Sequence, residues 1–326
     1  MGIGSVGSRA SRAFRGVTFD GGGICGLYSI VIFDRLVQAR PQLLDRIDLF
    51  AGTSTGGIIS LALAAGIPIP TIIDLYRTRA KEIFQRPWHR VLFSPCGLAE
   101  SKYVGNGLVK VMYDVLGAKT LGDLNRKVTV PAFNLKEEAS PDDPSWRVRF
   151  FHNFTAEDAA EKIADVAIRT ASAPTYFPAY QGYIDGGVAC NHPAVLAIGQ
   201  GVRFAGGGGE MGEKRGADLA DICILSIGTG GQIKYIDGSN LSWGAAKWAK
   251  PIIEVFMGGQ SLVADSLAAK LLGDRYHRLC PIIPDIALDD LSKINQLLEL
   301  GRKADLTAAL EFLDDKFLAE CPIYAA

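Results

Sequence analysis

Ile47-Asp48-Leu49-Phe50-Ala51-Gly52-Thr53-Ser54-Thr55-Gly56-Gly57-Ile58 is the stretch on which the fold turns. Ile47 to Ala51 is short and apolar apart from Asp48, as a buried strand would be. Gly52 closes it. From Ile58 to Ala65 apolar residues fall on nearly every face of a helix, which places that helix between layers and not on a surface. Within the turn, Gly52-Thr53-Ser54-Thr55-Gly56 reads G-x-S-x-G, and strand–turn–helix is the context a nucleophile elbow requires. Small neighbours permit a sharp bend that lifts the Ser54 hydroxyl above the sheet. The helix behind it aims backbone N–H groups and a positive dipole end at developing negative charge. The plainer reading of Ser54 is a helix N-cap.

Working outward, strands and helices alternate. Val17 to Phe19 reads as a strand and Leu27 to Arg40 as a helix. Thr71 to Gln85, with Arg77, Arg79 and Lys81 on a solvated face, and Lys102 to Gly117 are further helices. Lys127 to Leu135 and Arg147 to His152 form a hairpin across a polar loop holding Pro141 and Pro144. Ala156 to Ala173 is helical, with Thr155 as cap and Glu157 and Asp158 in its first turn. Tyr183-Ile184 precedes Asp185-Gly186-Gly187, and Asn191-His192-Pro193 marks a helix start. Ile222 to Ile227 is a strand. Trp243 to Gly273 is largely helical, with bends expected at Pro251 and Gly258-Gly259. Tyr276 to Ile283 is strand-like, and two helices close the chain between Asp289 and Ala319. The pattern predicts a single α/β domain around a mostly parallel central sheet flanked by helices. Its three glycine turns, after Phe19, Ala51 and Ile227, fall at strand carboxyl ends, where such sheets bind ligands.

Three segments stand outside this alternation. Residues 1–15 form an acid-free arm with Ser5, Ser8, Arg9, Ser11, Arg12 and Arg15, read as a flexible basic leader that also resembles a transit peptide; the domain proper is taken as 16–326. Pro87 to Ser101, rich in aromatic residues with Trp88 and Phe93 beside Arg86, His89 and Arg90, is either a lid touching a membrane or a loop packed on the core. Ala205 to Gly216 contains six glycines, which makes it a surface loop.

The 326 residues are 48% apolar, enough for a sizeable core, and this excludes wholesale disorder. Lys and Arg total 34 against 35 Asp and Glu, so the chain lacks the basic excess expected of a nucleic-acid binder. Six scattered cysteines, without zinc spacing, fit buried reduced thiols and a cytoplasmic setting, with peripheral membrane contact open. No His/Cys/Asp/Glu cluster calls for a metal, and no cofactor is expected.

Asp20-Gly21-Gly22-Gly23-Ile24-Cys25-Gly26 also satisfies G-x-G-x-x-G. As a nucleotide site it is compromised: Asp20 would face the pyrophosphate, and no second strand ends in an acid about 20 residues on. A backbone oxyanion hole, with the N–H groups of Gly22 and Gly23 turned toward an acyl oxygen, suits the residues better.

Taken together and in order, Asp20-Gly-Gly-Gly-Ile-Cys-Gly26, Gly52-Thr-Ser-Thr-Gly56, Ser172-Ala-Pro-Thr-Tyr-Phe-Pro178 and Asp185-Gly-Gly187 resemble the patatin-like phospholipase family. Leu225-Ser-Ile-Gly-Thr-Gly230, Tyr276-His-Arg278 and Leu288-Asp-Asp290 are similar too, so the resemblance spans nearly the whole chain. It implies a three-layer α/β/α fold and a lipid acyl hydrolase acting on membrane or micellar lipid. By position it assigns Ser54 as nucleophile, Asp185 as base and Gly22 and Gly23 as oxyanion donors, with no catalytic histidine. Gly21, Gly26, Gly52, Gly56, Gly186 and Gly187 complete the motifs. One departure bears on head-group preference: Cys25 stands where the family usually has Arg or Lys, leaving Lys102 or Arg86 as substitutes. The rival arrangement is a Ser-Asp-His triad, for which His192 and His277 follow Asp185 in the required order.

Overall fold

The computed structural model describes residues 13–86, 100–138, 144–204, 217–231, 236, 238, 242–248 and 251–319. The expectations for residues 1–12, for the aromatic segment 87–99 and for the glycine-rich segment 205–216 lie outside the described residues.

Seven strands form one sheet: β1 (Phe14–Phe19), β2 (Leu49–Gly52), β3 (Lys127–Glu138), β4 (Pro144–His152), β5 (Tyr183–Asp185), β6 (Ile222–Ile227) and β7 (Tyr276–Leu279). They lie in the order β4-β3-β2-β1-β6-β7, with β5 paired to β3. The pairings β1–β2, β1–β6, β2–β3 and β6–β7 are parallel, and the hairpin β3–β4 and the β3–β5 pair are antiparallel. The sheet is therefore mostly parallel, as the alternating sequence predicts. The chain leaves β1 toward β2 and later returns to its other side as β6, so the switch in strand order falls beside the loop after Phe19.

β1, β2 and β6 are buried on both faces, and their side chains alternate between them with period two, whereas the β3–β4 hairpin leaves Leu135, Trp146 and Phe150 exposed. Val17, Phe19, Phe50, Val128, Val130, Leu225 and Ile227 enter the larger core. That core is filled by α1 (Gly26–Ala39), α2 (Thr55–Ala64), α3 (Ile69–Ile83), α4 (Asn106–Leu116), α5 (Ile163–Ala171) and, near the carboxyl end, α8 (Ile294–Lys303) and α9 (Thr307–Phe312). Phe14, Leu49, Ala51, Ile222 and Ile224 point the other way, onto α6 (Ala194–Phe204) and α7 (Pro251–Leu272). The result is the three-layer α/β/α arrangement. All ten residues of α2 are buried, as its all-round apolar sequence requires.

The departures from the sequence reading have local causes. β1 starts at Phe14, so Phe14 and Arg15, assigned to the arm, belong to the sheet. The helix expected from Ala156 begins only at Ile163. Asp158 is engaged instead by Arg149 (2.6 Å) and the His152 N–H (3.1 Å). The carbonyls of Ala159 and Glu161 accept from Gly122 and Leu121, leaving none of these groups for a helical turn. Lys102 and Tyr103 donate to the carbonyls of Thr175 and Tyr176, which delays α4 to Asn106. α7 runs unbroken through Gly258-Gly259. β7 stops at Leu279, ahead of Pro281, which lacks an N–H for the ladder. Arg77 and Arg79 form solvated ion pairs, Arg77 with Asp74 and Arg79 with Asp114 and Glu82.

A Cβ added at Gly56 would lie 2.2 Å from the Phe19 carbonyl oxygen, whereas one added at Gly199, exposed within α6, would meet nothing within 4 Å. Gly56→Ala should cost about 1–3 kcal/mol through overpacking, and Gly199→Ala should gain about 0.5–1 kcal/mol of helix propensity. Urea denaturation midpoints should thus move in opposite directions for the two variants.

Candidate active site

Ser54 sits between β2 and α2 with φ 53° and ψ −121°, a conformation few non-glycine residues adopt. Such strain costs about 1–3 kcal/mol and has to be enforced by the surroundings. Here the enforcement is visible. Thr53 N–H donates to the Phe19 carbonyl (3.2 Å), the Thr53 hydroxyl to the Cys190 carbonyl (2.6 Å), and Gly56 N–H to the Thr53 carbonyl (2.8 Å). Ser54 N–H donates to the Thr170 hydroxyl (2.9 Å), which itself donates to the Pro131 carbonyl (2.6 Å). The turn is so tight that a Cβ at Gly52 would fall 2.0 Å from the Gly56 carbonyl oxygen. The Ser54 side chain makes no capping hydrogen bond to α2, so the N-cap reading does not describe it.

Asp185 ends β5, where its N–H donates to the Ser172 carbonyl (3.0 Å) and Gly186 N–H donates to the Thr170 carbonyl (3.2 Å). Thr170 therefore holds both the serine turn and the aspartate turn. The carboxylate Oδ1 accepts from Gly187 N–H at 2.7 Å. A Cβ at Gly187 would stand 3.0 Å from that oxygen, and one at Gly186 would stand 2.2 Å from the Pro131 carbonyl oxygen. Asp185 is buried, and burial pushes its pKa from 3.8 up to about 6, against the opposing pull of the Ser54 hydroxyl and the Gly187 N–H. The two residues singled out from sequence line one cavity.

The first glycine loop lines the same cavity through Gly22 and Gly23. Its flanks are pinned: Gly21 N–H donates to the Asn191 carbonyl (3.1 Å), Ile24 N–H to the Leu288 carbonyl (2.8 Å), and Cys25 N–H to the Gly22 carbonyl (3.1 Å). Between those anchors, the N–H groups of Gly22 and Gly23 have no acceptor among the described residues. Gly23 has φ 56° and would bring a Cβ within 2.3 Å of the Leu288 carbonyl oxygen, so no side chain fits there. Gly26 packs against the Thr55 and Tyr76 hydroxyls, and Gly21 against Asn191.

Asp20, at the root of this loop, has a partner that sequence reasoning missed. Arg278 Nη1 donates to Asp20 Oδ1 (2.9 Å) and to the Ser226 hydroxyl (2.8 Å), while Nη2 pairs with Oδ2. Burial disfavours the Arg278 charge, but the Asp20 carboxylate outweighs it and raises its pKa. His192 places Nδ1 3.1 Å from Asp20 Oδ1 and Nε2 3.0 Å from the Tyr276 hydroxyl, which donates to Asp265 (2.6 Å). His277 stacks on Phe312 with ring centroids 5.2 Å apart. Burial lowers the pKa of both histidines, and neither lines the cavity.

The cavity is open to solvent, with an empty volume of about 960 Å³. Beyond Ser54, Asp185 and the glycine loop, most of its described lining is apolar, with Ile58, Leu75, Phe84, Leu108, Phe177 and Met257 among it, beside the hydroxyls of Thr55, Tyr76 and Tyr176. Among the described residues, no Lys or Arg lines it, a poor setting for a pyrophosphate. Cys25 is buried, with Sγ 3.9 Å from the Ile286 carbonyl oxygen. Of its expected substitutes, Lys102 pairs with Asp289 and lies 5.8 Å from the ring of Tyr176, a wall residue; neither Lys102 nor Arg86 reaches the cavity itself.

A family model for patatin-like phospholipase matches residues 17–198. Protein teg of Priestia megaterium is 28% identical over 92% of this chain and 98% of its own. Patatin-like protein 2 of Arabidopsis thaliana is 32% identical over 76% of this chain and 70% of its own. A cGAMP-activated phospholipase of Pseudomonas aeruginosa is 29% identical over 85% of this chain and 80% of its own.

Raised from 3.8 to about 6, the Asp185 carboxyl binds its proton more tightly in the folded chain than in the unfolded one. Its contribution to stability is therefore fully present below about pH 4 and declines as pH rises through 6, a loss of about 3 kcal/mol by pH 8. Asp185→Asn removes this ionisation and can still accept from Gly187. In chemical denaturation the variant should gain on the wild type at pH 8 and gain little at pH 4. An equal difference at both would contradict the assignment.

Proposed function

The chain belongs to the patatin-like phospholipase family, a family of lipid hydrolases, and we propose that it cleaves lipid acyl esters through a covalent intermediate on Ser54. Asp185 serves as base, and the N–H groups of Gly22 and Gly23 serve as the oxyanion hole. The observation that carries this reading is the meeting of three features in one apolar cavity: a strained serine, a buried carboxyl, and two backbone donors with no acceptor among the described residues.

The steps follow from those groups. The Asp185 carboxylate takes the proton from Ser54 Oγ as Oγ bonds to the acyl carbon. Negative charge gathers on the former carbonyl oxygen and is met by the Gly22 and Gly23 N–H groups, already oriented and without an acceptor among the described residues. As the tetrahedral intermediate collapses, the ester C–O bond breaks and Asp185 returns its proton to the leaving alcohol. Water then attacks the acyl-Ser54 carbon, giving its proton to the same carboxylate. The fatty acid departs and Ser54 Oγ recovers the proton. The acyl chain lies along the apolar walls, where each buried methylene contributes about 0.8 kcal/mol. A base with a pKa near 6 is ionised at neutral pH and stronger than an exposed carboxylate.

The four described cysteines are free, in keeping with a reducing, cytoplasmic setting. A lipid substrate adds peripheral contact with a membrane or micelle.

On a soluble nitrophenyl ester, Ser54→Ala should lower kcat by on the order of 10⁴-fold and Asp185→Asn by about 10²–10⁴-fold. His277→Gln should stay within a few-fold of wild type; its loss of activity would favour a triad. Because Asp185 acts as the ionised base, kcat/KM should rise with pH around a midpoint near 6 and level off above it. A folded Ser54→Ala variant that still turns over would defeat the proposal.

A further inference from the structure

α7 (Pro251–Leu272) is built inside out. One side is tied to the domain: Ala268 and Leu272 are buried against the second core, and Gln260 donates to the Val188 carbonyl (2.6 Å). Asn191 donates to Ser261 (3.2 Å), and Asp265 accepts from Tyr276 (2.6 Å). The other side, where a soluble helix carries charge, holds Val255, Phe256, Leu262, Val263 and Leu267, exposed by 45%, 62%, 73%, 60% and 45%. At 3.6 residues per turn these five share a sector about 140° wide, interrupted by Gly259, Ser266 and a single charge, Lys270.

The helix Ile252–Arg275 has the length and apolarity of a membrane span, with a mean hydropathy of 1.2 over an 18-residue window. Spanning is incompatible with the contacts just named, which hold the helix lengthwise against the sheet layer. A helix fixed on one side and apolar on the other suits the plane of a bilayer surface. Just ahead of it, Trp243 and Trp248 pack edge to face (5.4 Å) beside an exposed Lys247, residue types that settle at headgroup depth. The same helix also supplies Ile253 and Met257 to the cavity wall, within one turn of Val255 and Phe256. The exposed apolar face is thus continuous with the apolar path to Ser54.

We propose that this face of α7 is the membrane-docking surface: it settles into the outer part of a phospholipid bilayer and sets the cavity mouth against the lipid. The proposal rests on the lipid-hydrolase reading for its substrate, but the docking has its own readout. With Lys270 as the only charge within the sector, attachment is driven by apolar insertion and should vary little with salt.

The test is flotation of the full chain with phosphatidylcholine vesicles, for wild type and for the double variant Phe256→Glu, Leu262→Glu. Both positions are exposed and lie outside the cavity wall, so the variant should keep its melting temperature and its turnover of a soluble nitrophenyl ester. Expected is a loss of vesicle partitioning of at least about tenfold, with a parallel loss of turnover on vesicle lipid. Wild-type chain that fails to float, or a variant that floats as well, would overturn the proposal. So would wild-type self-association in lipid-free buffer that the variant abolishes, because the face would then belong to a second copy. If flotation behaves as expected but no ester is cleaved, docking stands and the catalytic reading fails.

Discussion

The backbone at Ser54 is the constraint on which the rest depends. A serine at φ 53° between a strand and a helix is tolerable only if the chain on either side has no freedom to relax. Gly52 and Gly56 allow the strand end and the helix start to touch backbone to backbone. The wholly buried α2 holds the helix side, and the parallel pairing of β2 to β1 and β3 holds the strand side. Thr170 ties the Ser54 N–H to the Pro131 carbonyl on β3, and its own carbonyl receives the turn that follows Asp185. Ser54 and Asp185 are thereby fixed to one another through a single threonine and not through a mobile loop.

Two buried aspartates near the site are treated in opposite ways. Asp20 faces the Arg278 guanidinium and His192, which satisfies its charge and anchors the start of the glycine loop. Removing either member of that pair would leave an uncompensated buried charge. Asp185 faces a serine hydroxyl and one backbone N–H, and no cation among the described residues. The first is a structural anchor, tied to a guanidinium and an imidazole. The second is left short of stabilisation, and this raises its affinity for a proton. Two carboxyls within one loop cluster are thus given opposite environments.

Much of this was legible in the sequence because it is local. G-x-S-x-G between an apolar strand and an all-apolar helix specifies the turn from about a dozen residues, and the glycines flanking Asp20 and Asp185 mark close backbone approach. Strand alternation and the order of elements gave the parallel sheet. What escaped was non-local or competitive. Arg278 meets Asp20 across 258 residues of chain, and neither carries a local sign of the other. The late start of α5 could not be read from Thr155, Glu157 and Asp158, which look like a good cap and first turn, because Asp158 is taken by Arg149 and the His152 N–H from a neighbouring strand. Trp243 to Gly273 reads as largely helical, but a helical reading does not tell an inward face from an outward one.

The most direct measurement is the reaction of the chain with a fluorophosphonate, followed by peptide mass mapping and by labelling rate against pH. The account predicts one adduct, on the peptide holding Ser54, formed at a rate that climbs around pH 6 and collapses in Asp185→Asn. An adduct on another residue, or a Ser54 rate indifferent to the loss of the Asp185 charge, would contradict it.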